Sequence, residues 1–370
     1  MNNALFSPLT VGQVTFANRL AVAPMCQYSC TDGVPGDWHL MHLGNLAVSG
    51  AGLLIVEATG VEPRARITPG CPGLWNDEQE AAFAPILEFC RKHGNAKLGI
   101  QLAHAGRKAS SRKPWQGGEQ ADENEGGWAA VAPSAVPFDA GRPLPQALSL
   151  DDIEQIKRDF TDAAKRADQA GFDVVEIHAA HGYLLHQFLS PLSNHRDDTY
   201  GGSLENRMRL ALEIFDVVRE AFPSDKPVGM RISATDWVEG GWDLGDSIAL
   251  AHALEDRHCD FVHVSSGGLS PDQEIPLGPG YQVDLCAAIT DASEIATIAV
   301  GMIDDAFQAE TIVRSGQADM VALARGMLAD PHWTWRAAKS LHGEAAYPRQ
   351  YERALPGFTT MATPKYPPPK

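Results

Sequence analysis

Eight short, nearly continuous apolar runs punctuate the chain. They are RLAVAPM (19–25), GLLIVEAT (52–59), KLGIQLAH (97–104), FDVVEIH (172–178), PVGMRISA (227–234), DFVHVSSG (260–267), ATIAVGM (296–302) and DMVALAR (319–325). Runs of this kind do not alternate polar with apolar, as a strand with one wet face would. They fit parallel strands buried on both faces. Between them lie stretches with helical spacing: 38–48, 77–92, 151–170, 204–222, 245–257, 304–315 and 331–341. The third opens with Asp151 and Asp152 in its first turn and closes at Gly171, a residue suited to a left-handed helix end. Strand and helix alternate throughout, which predicts an α/β protein, a (β/α)8 TIM barrel. A doubly wound sheet fits less well, because no GxGxxG follows the first strand.

One interval breaks the alternation. Residues 105–149 are rich in Gly, Pro and charge and carry Trp115 and Trp128. An insertion of that length after a strand predicts a folded cap over the catalytic end of the barrel. The expected organisation is one barrel domain over 1–345 and a C-terminal tail over 346–370, with the Pro-rich TPKYPPPK expected to be mobile.

Composition narrows the function. The formal charge is −17, which disfavours a nucleic-acid partner. The six cysteines contain no CxxC pair, so neither a zinc ribbon nor an iron–sulfur cluster is suggested. The N-terminus lacks a basic, then apolar, leader, and no apolar run reaches the roughly 18 residues of a membrane span. The expected setting is reduced and cytoplasmic.

In a TIM barrel the chemistry collects where strands end. Those ends carry Pro24-Met25-Cys26-Gln27-Tyr28, Glu57-Ala58-Thr59, Gln101 and His104, His178, Arg231, Ser265-Ser266-Gly267-Gly268, Gly301, and Ala324-Arg325-Gly326. Gly301 with Arg325 and Gly326 sits where barrels commonly bind phosphate; small residues admit the anion and arginine clamps it. The stretch VVEIHAAHGYLLHQFLS (174–190) is ambiguous by itself. Residues i and i+3 of a strand face opposite ways, so His178 and His181 converge only if the strand ends and the chain curls. A metal site, satisfied core histidines, and two donors aimed at one substrate oxygen with Tyr183 as proton source all remain open. Gln101 suits an amide-like heterocycle edge, and Arg231 suits negative charge on a reduced ring.

These residues resemble the Old Yellow Enzyme family of FMN-dependent ene-reductases, and within it the thermophilic-like subgroup to which xenobiotic reductases belong. The likeness runs over nearly the whole chain. It is carried by APMCQYS, DWHLMHLG, GIQLAHAGRKAS, EIHAAHGYLLHQFLSPLSNHRDDTYGGSLENRMR, AVGMI and LARGML. The resemblance implies FMN in the barrel mouth, with NADPH or NADH as donor and no metal. It implies that Ala23, Pro24, Met25 and Cys26 lie under the flavin and that Ala58, Gln101 and Arg231 contact it. Gly301, Met302, Ala324 and Arg325 would hold its phosphate; the family usually has glycine where Ala324 stands. His178 and His181 would bind the substrate's carbonyl or nitro oxygen, Tyr183 would donate the proton, and Tyr28 would face the substrate. Arg353 would reach the neighbouring subunit's site, implying a homodimer or homotetramer. The implied substrates are activated alkenes: unsaturated aldehydes, ketones, maleimides and nitro compounds. Two rivals are a tRNA dihydrouridine synthase, disfavoured by the acidity, and a zinc-dependent barrel hydrolase or lyase.

Overall fold

A computed structural model describes residues 3–354. The TPKYPPPK segment lies outside them. The barrel staves are β3 (Leu20–Val22), β4 (Leu53–Gly60), β5 (Lys97–Ala103), β8 (Val174–Ala179), β9 (Val228–Ser233), β10 (Phe261–Ser265), β11 (Ala296–Ala299) and β12 (Met320–Leu323). Each pairs in parallel with the next and β12 closes on β3. All eight expected strands are therefore present, within a few residues of the expected bounds. The remaining strands form a hairpin, β1 (Leu9–Val11) with β2 (Val14–Phe16), and a short ladder in the cap, β6 (Val131–Ala132) with β7 (Gln146–Ala147).

The helices that wrap the barrel are α1 (Asp37–Ala47), α2 (Asp77–His93), α3 (Leu150–Ala170), α4 (Leu184–Leu189), α5 (Leu204–Ala221), α6 (Leu244–Glu255), α7 (Val283–Ala292), α8 (Ala306–Arg314), α9 (Arg325–Ala329) and α10 (Trp333–Leu341). The longest, α3, shows why they start and stop where they do. Ser149, not an aspartate, is its N-cap: the Ser149 hydroxyl accepts from Asp152 N–H while Asp152 reaches back to Ser149 N–H. Gly171 ends it at φ 102°, a conformation that costs glycine little. Its apolar stripe, Ile153, Ile156, Phe160, Ala163 and Ala167, is buried against the barrel wall.

A second core fills the barrel interior. Ala21, Leu53, Val174, Phe261, Ile298 and Met320 meet there, and Val11 and Phe16 of the hairpin plug the end opposite the active site. Phe261 lies over Gly229 of the neighbouring strand; a Cβ at Gly229 would come within 2.5 Å of the ring. That glycine makes room for a side chain whose burial is worth about 2–3 kcal/mol. The sequence reading missed the hairpin, whose three-residue strands are too short to show a period. It also missed α7, which follows a long loop after β10.

The 105–149 insertion packs on segments that follow β3, β4 and β10. Buried Arg107 stitches it down, donating to the carbonyls of Val136 and Pro137 and to Leu269 beyond β10. The Trp128 indole donates to Arg64 O at 3.0 Å, and Trp115 packs edge-on against Tyr28 with ring centres 5.6 Å apart.

Candidate active site

The chain does curl where β8 ends. Ala179 is the last strand residue, and His181 adopts φ 58°. This left-handed turn swings His181 round to the side of His178. Their rings meet edge to face with centres 5.2 Å apart, and Tyr183 meets His178 in the same way at 4.9 Å. The three predicted side chains therefore converge.

The corner is held from several sides. His181 N–H donates to the Ser233 hydroxyl, which donates to Gly267 O. Gly182 and Gly268 approach so closely that a Cβ on Gly182 would lie 2.2 Å from Gly268 O. Lys108 Nζ donates to both His181 O and Gly268 O at 2.8 Å and lies 5.2 Å from the centre of the Tyr183 ring. Burial, then the nearby Arg142 and Arg107, pulls the Lys108 ammonium down to about 7. His186, one turn on, is a structural residue. Its Nδ1 accepts from Gly182 N–H at 2.9 Å, so its protonated Nε2 faces Asp236 Oδ1 at 2.7 Å, off the ideal hydrogen-bond axis.

Electrostatics fix the protonation of the site. Burial, then the charge of Arg231, holds both His178 and His181 well below the usual histidine range. Both are neutral near pH 7. The Nδ1 of His178 accepts from Ala180 N–H at 3.2 Å, which leaves its Nε2–H as the donor. The Nε2 of His181 is engaged by Ser265 Oγ at 2.8 Å, so Nδ1 is its available atom. Burial pushes the Tyr183 phenol well above its ordinary value, so it keeps its proton.

Below this corner lies a polar layer. Gln101 and Glu176 are register partners on β5 and β8, and Arg231 on β9 pairs with His178 on one side and His263 on the other. Gln101 Nε2 donates to Glu176 Oε1 at 2.7 Å, and His263 Nδ1 lies 2.7 Å from Glu176 Oε2. Arg231 is buried with its Nε unpartnered. Glu176 and His263 were not singled out from sequence. The signal was two ionisable residues at inward positions of apolar strands, EIH and VHV.

The loop after β3 carries the other expected group. Ala23 is buried in the barrel interior, while Met25 packs against the outer core beside Pro24. A register shift between Val56 and Ala58 lets Glu57 leave the β4 ladder. The Glu57 carboxylate accepts from Gln27 N–H at 2.8 Å and faces His39 Nε2 at 3.3 Å, pinning the loop. Cys26 hydrogen-bonds Cys71; that bond, with burial, holds the Cys26 thiol well above its ordinary range. Tyr28 follows at φ 55° under Trp115. Ala58 is buried and pairs with Gln101.

On the opposite wall is a cavity of about 460 Å³ lined by Arg231, Gln282, Gly301, Met302, Ala324 and Arg325 among others. Gly301 has φ 134°, and a Cβ there would sit 2.7 Å from Gln282 Nε2. Met302 and Arg325 are exposed at its rim. Gln282 was not foreseen: its amide donates to Val300 O and accepts from Ser266. Arg353 is exposed and is not among the residues lining this cavity. The segment before it is tied down by Trp335, whose indole donates to Ala346 O and whose ring stacks on His332 and meets Tyr351.

Residues 4–344 match the model of the NADH:flavin oxidoreductase / NADH oxidase family. An NADH:flavin oxidoreductase of Gibberella zeae is 45% identical over 95% of this chain and 89% of its own. NADPH dehydrogenases of Geobacillus thermodenitrificans and Bacillus subtilis are 44% and 43% identical, each over 95% of this chain and 99% of theirs. Among solved structures, morphinone reductase superposes with a TM-score of 0.77 at 31% identity, covering 94% of this chain and 92% of its own. The Old Yellow Enzyme homologue from Zymomonas mobilis superposes with a TM-score of 0.75 at 29% identity, covering 91% and 92%. The chain therefore belongs to the NADH:flavin oxidoreductase / NADH oxidase family, the Old Yellow Enzymes, and is an FMN- and NAD(P)H-dependent oxidoreductase on a (β/α)8 barrel.

Proposed function

We propose that the protein reduces the activated C=C bond of α,β-unsaturated aldehydes, ketones, maleimides or nitro compounds, with Tyr183 as the proton donor. The observation that carries this reading is the convergence of His178, His181 and Tyr183 at one corner, all uncharged near pH 7, each imidazole with a single N–H and the phenol with its proton.

The mouth suits FMN on its own chemistry. Arg231 offers a buried unpartnered donor where an anionic ring edge needs a cation, and Gln101 offers an amide oxygen beside it. The 460 Å³ cavity with Gly301, Met302, Ala324 and exposed Arg325 suits the phosphate, and Ala23, Pro24, Met25, Cys26 and Ala58 are the residues that would lie against the ring. Held there by Arg231, Gln101, Gly301 and Arg325, FMN would supply the hydride-transfer chemistry between NAD(P)H and the β-carbon of the alkene.

The residues of the chain do the rest. With the Ser265 hydroxyl donating to His181 Nε2, His178 Nε2–H and His181 Nδ1–H hold the substrate's electron-withdrawing oxygen and stabilise the charge that develops on it; one such donor is typically worth about 3 kcal/mol. Because both imidazoles are neutral, they donate without first losing or gaining a proton. Tyr183 delivers its phenolic proton to the α-carbon. The charge of Arg142 favours the phenolate left behind. Tyr28 and Trp115 wall the substrate from solvent. The same site accepts the nicotinamide of NADPH, the donor named for the bacterial relatives.

We also propose that the protein works as a homo-oligomer in which Arg353 enters the neighbouring active site. Supporting this, Arg353 is exposed, its segment is anchored by the His332–Trp335–Tyr351 rings, and an apolar groove of Leu40, Met41, Phe89 and Tyr351 lies open beside it.

The test separates the two half-reactions by rapid mixing. Tyr183→Phe is expected to slow alkene reduction about 10²-fold or more while leaving flavin reduction by NADPH within roughly threefold. Equal slowing of both halves would remove Tyr183 from the proton-donor role.

A further inference from the structure

The layer beneath the active site contains a carboxylate that the proposed chemistry does not use. Glu176 is completely buried, and so is its partner His263. Burial alone would raise the Glu176 carboxyl, but His263, Arg231 and Gln101 outweigh it and keep the group ionised. A carboxylate can only accept hydrogen bonds. Both of its neighbours must therefore donate. Gln101 is obliged to turn its NH2 toward Glu176 Oε1, and His263 must carry its proton on Nδ1. Two consequences follow at the mouth. The amide oxygen of Gln101 is left without a hydrogen-bond partner among the described residues, and the amide cannot flip. Beside it Arg231, with no acceptor capacity, presents only donors.

We infer that Glu176 is a positioning residue that sets the donor–acceptor polarity of the cofactor mouth. Acting through Gln101, it makes the site select a heterocycle edge with an N–H donor flanked by carbonyl acceptors, as in the imide of a flavin. The inference rests on the FMN reading of the mouth. Without the charge, an amide at 176 could accept from Gln101 or donate to it. Gln101 would then present either end, and the selection would be lost while the shape stayed nearly the same.

The test is equilibrium binding of FMN and of 3-methyl-FMN, which lacks the imide N–H, to the apoprotein, followed by flavin fluorescence. Wild type is expected to bind 3-methyl-FMN at least roughly tenfold more weakly than FMN. Glu176→Gln is expected to weaken FMN itself by about tenfold and to cut the discrimination to less than about threefold. Glu176→Asp keeps an acceptor-only group and should restore most of the discrimination. A Glu176→Gln protein that binds FMN and still rejects the methylated flavin like wild type would overturn the inference. If Glu176→Gln does not fold, the wild-type arm still decides: equal affinity for both flavins would mean that Gln101 presents no obligate acceptor. Failure of wild type to bind FMN at all would sink the cofactor reading instead, so the two failures are distinguishable.

Discussion

Replacing His186 by leucine probes what holds the catalytic corner. The imidazole is fully buried, accepts from Gly182 N–H and lies 2.7 Å from Asp236. Asp236 also has no exposed surface, and its other oxygen accepts from the Ser190 hydroxyl and Trp242 N–H. Burial would raise that carboxyl, but His186 and these donors hold it below its ordinary value. His186→Leu removes one partner and leaves the buried charge behind, at a cost of about 3–5 kcal/mol. With 370 residues and an unfolding entropy of about 2.1 cal/mol/K per residue, the melting temperature falls by roughly 4–6 °C. Freeing Gly182 N–H also loosens the His181 turn, so affinity for a phenolic ligand should drop. Scanning calorimetry of the FMN-loaded protein measures the first effect and a p-hydroxybenzaldehyde titration the second. Adding Asp236→Asn removes the stranded charge and should recover half or more of the lost stability. A single variant melting within about 1 °C of wild type, or a double variant no better than the single, would refute this account of the corner.

His178→Ala should weaken phenol binding about 10²-fold while FMN stays bound; unchanged affinity would take His178 out of the oxygen site. Arg353→Ala mixed with Tyr183→Phe subunits should regain activity, because a hybrid holds one site with both residues intact; no gain on mixing would exclude a shared site. For Glu62, burial pushes upward, but the hydrogen bonds from His104 and Arg64 prevail and hold it at about 2 against an ordinary 4.5. Its contribution is complete above pH 4.5 and is lost as pH falls toward 2. Glu62→Gln should therefore be less stable than wild type at pH 7 by up to roughly 3 kcal/mol, with the gap closing below pH 4.5. A gap independent of pH in denaturant melts would contradict this.

The barrel was legible because each buried parallel strand is a local apolar run, readable without its neighbours. The active-site corner was only half legible. The spacing of His178 and His181 could not say whether the strand ended, since the turn depends on a left-handed residue held by Ser233, Lys108 and Gly268 from distant strands. The same limit hid Glu176, His263 and Gln282, whose partners are 75 to 87, or 16 to 18, residues away. His186 belongs to the same sequence stretch, and its contact with Asp236 separates this structural histidine from the two at the mouth. Family resemblance supplied the expected roles of Cys26 and Arg353, which no local pattern carries.

The central claim is tested most directly by the absorbance of the purified protein under anaerobic conditions. The account predicts a yellow protein whose flavin band is bleached by NADPH and returns when 2-cyclohexenone is added, with the saturated ketone formed in equal amount. A bleached flavin that 2-cyclohexenone, a maleimide and a nitroalkene all fail to re-oxidise would contradict it.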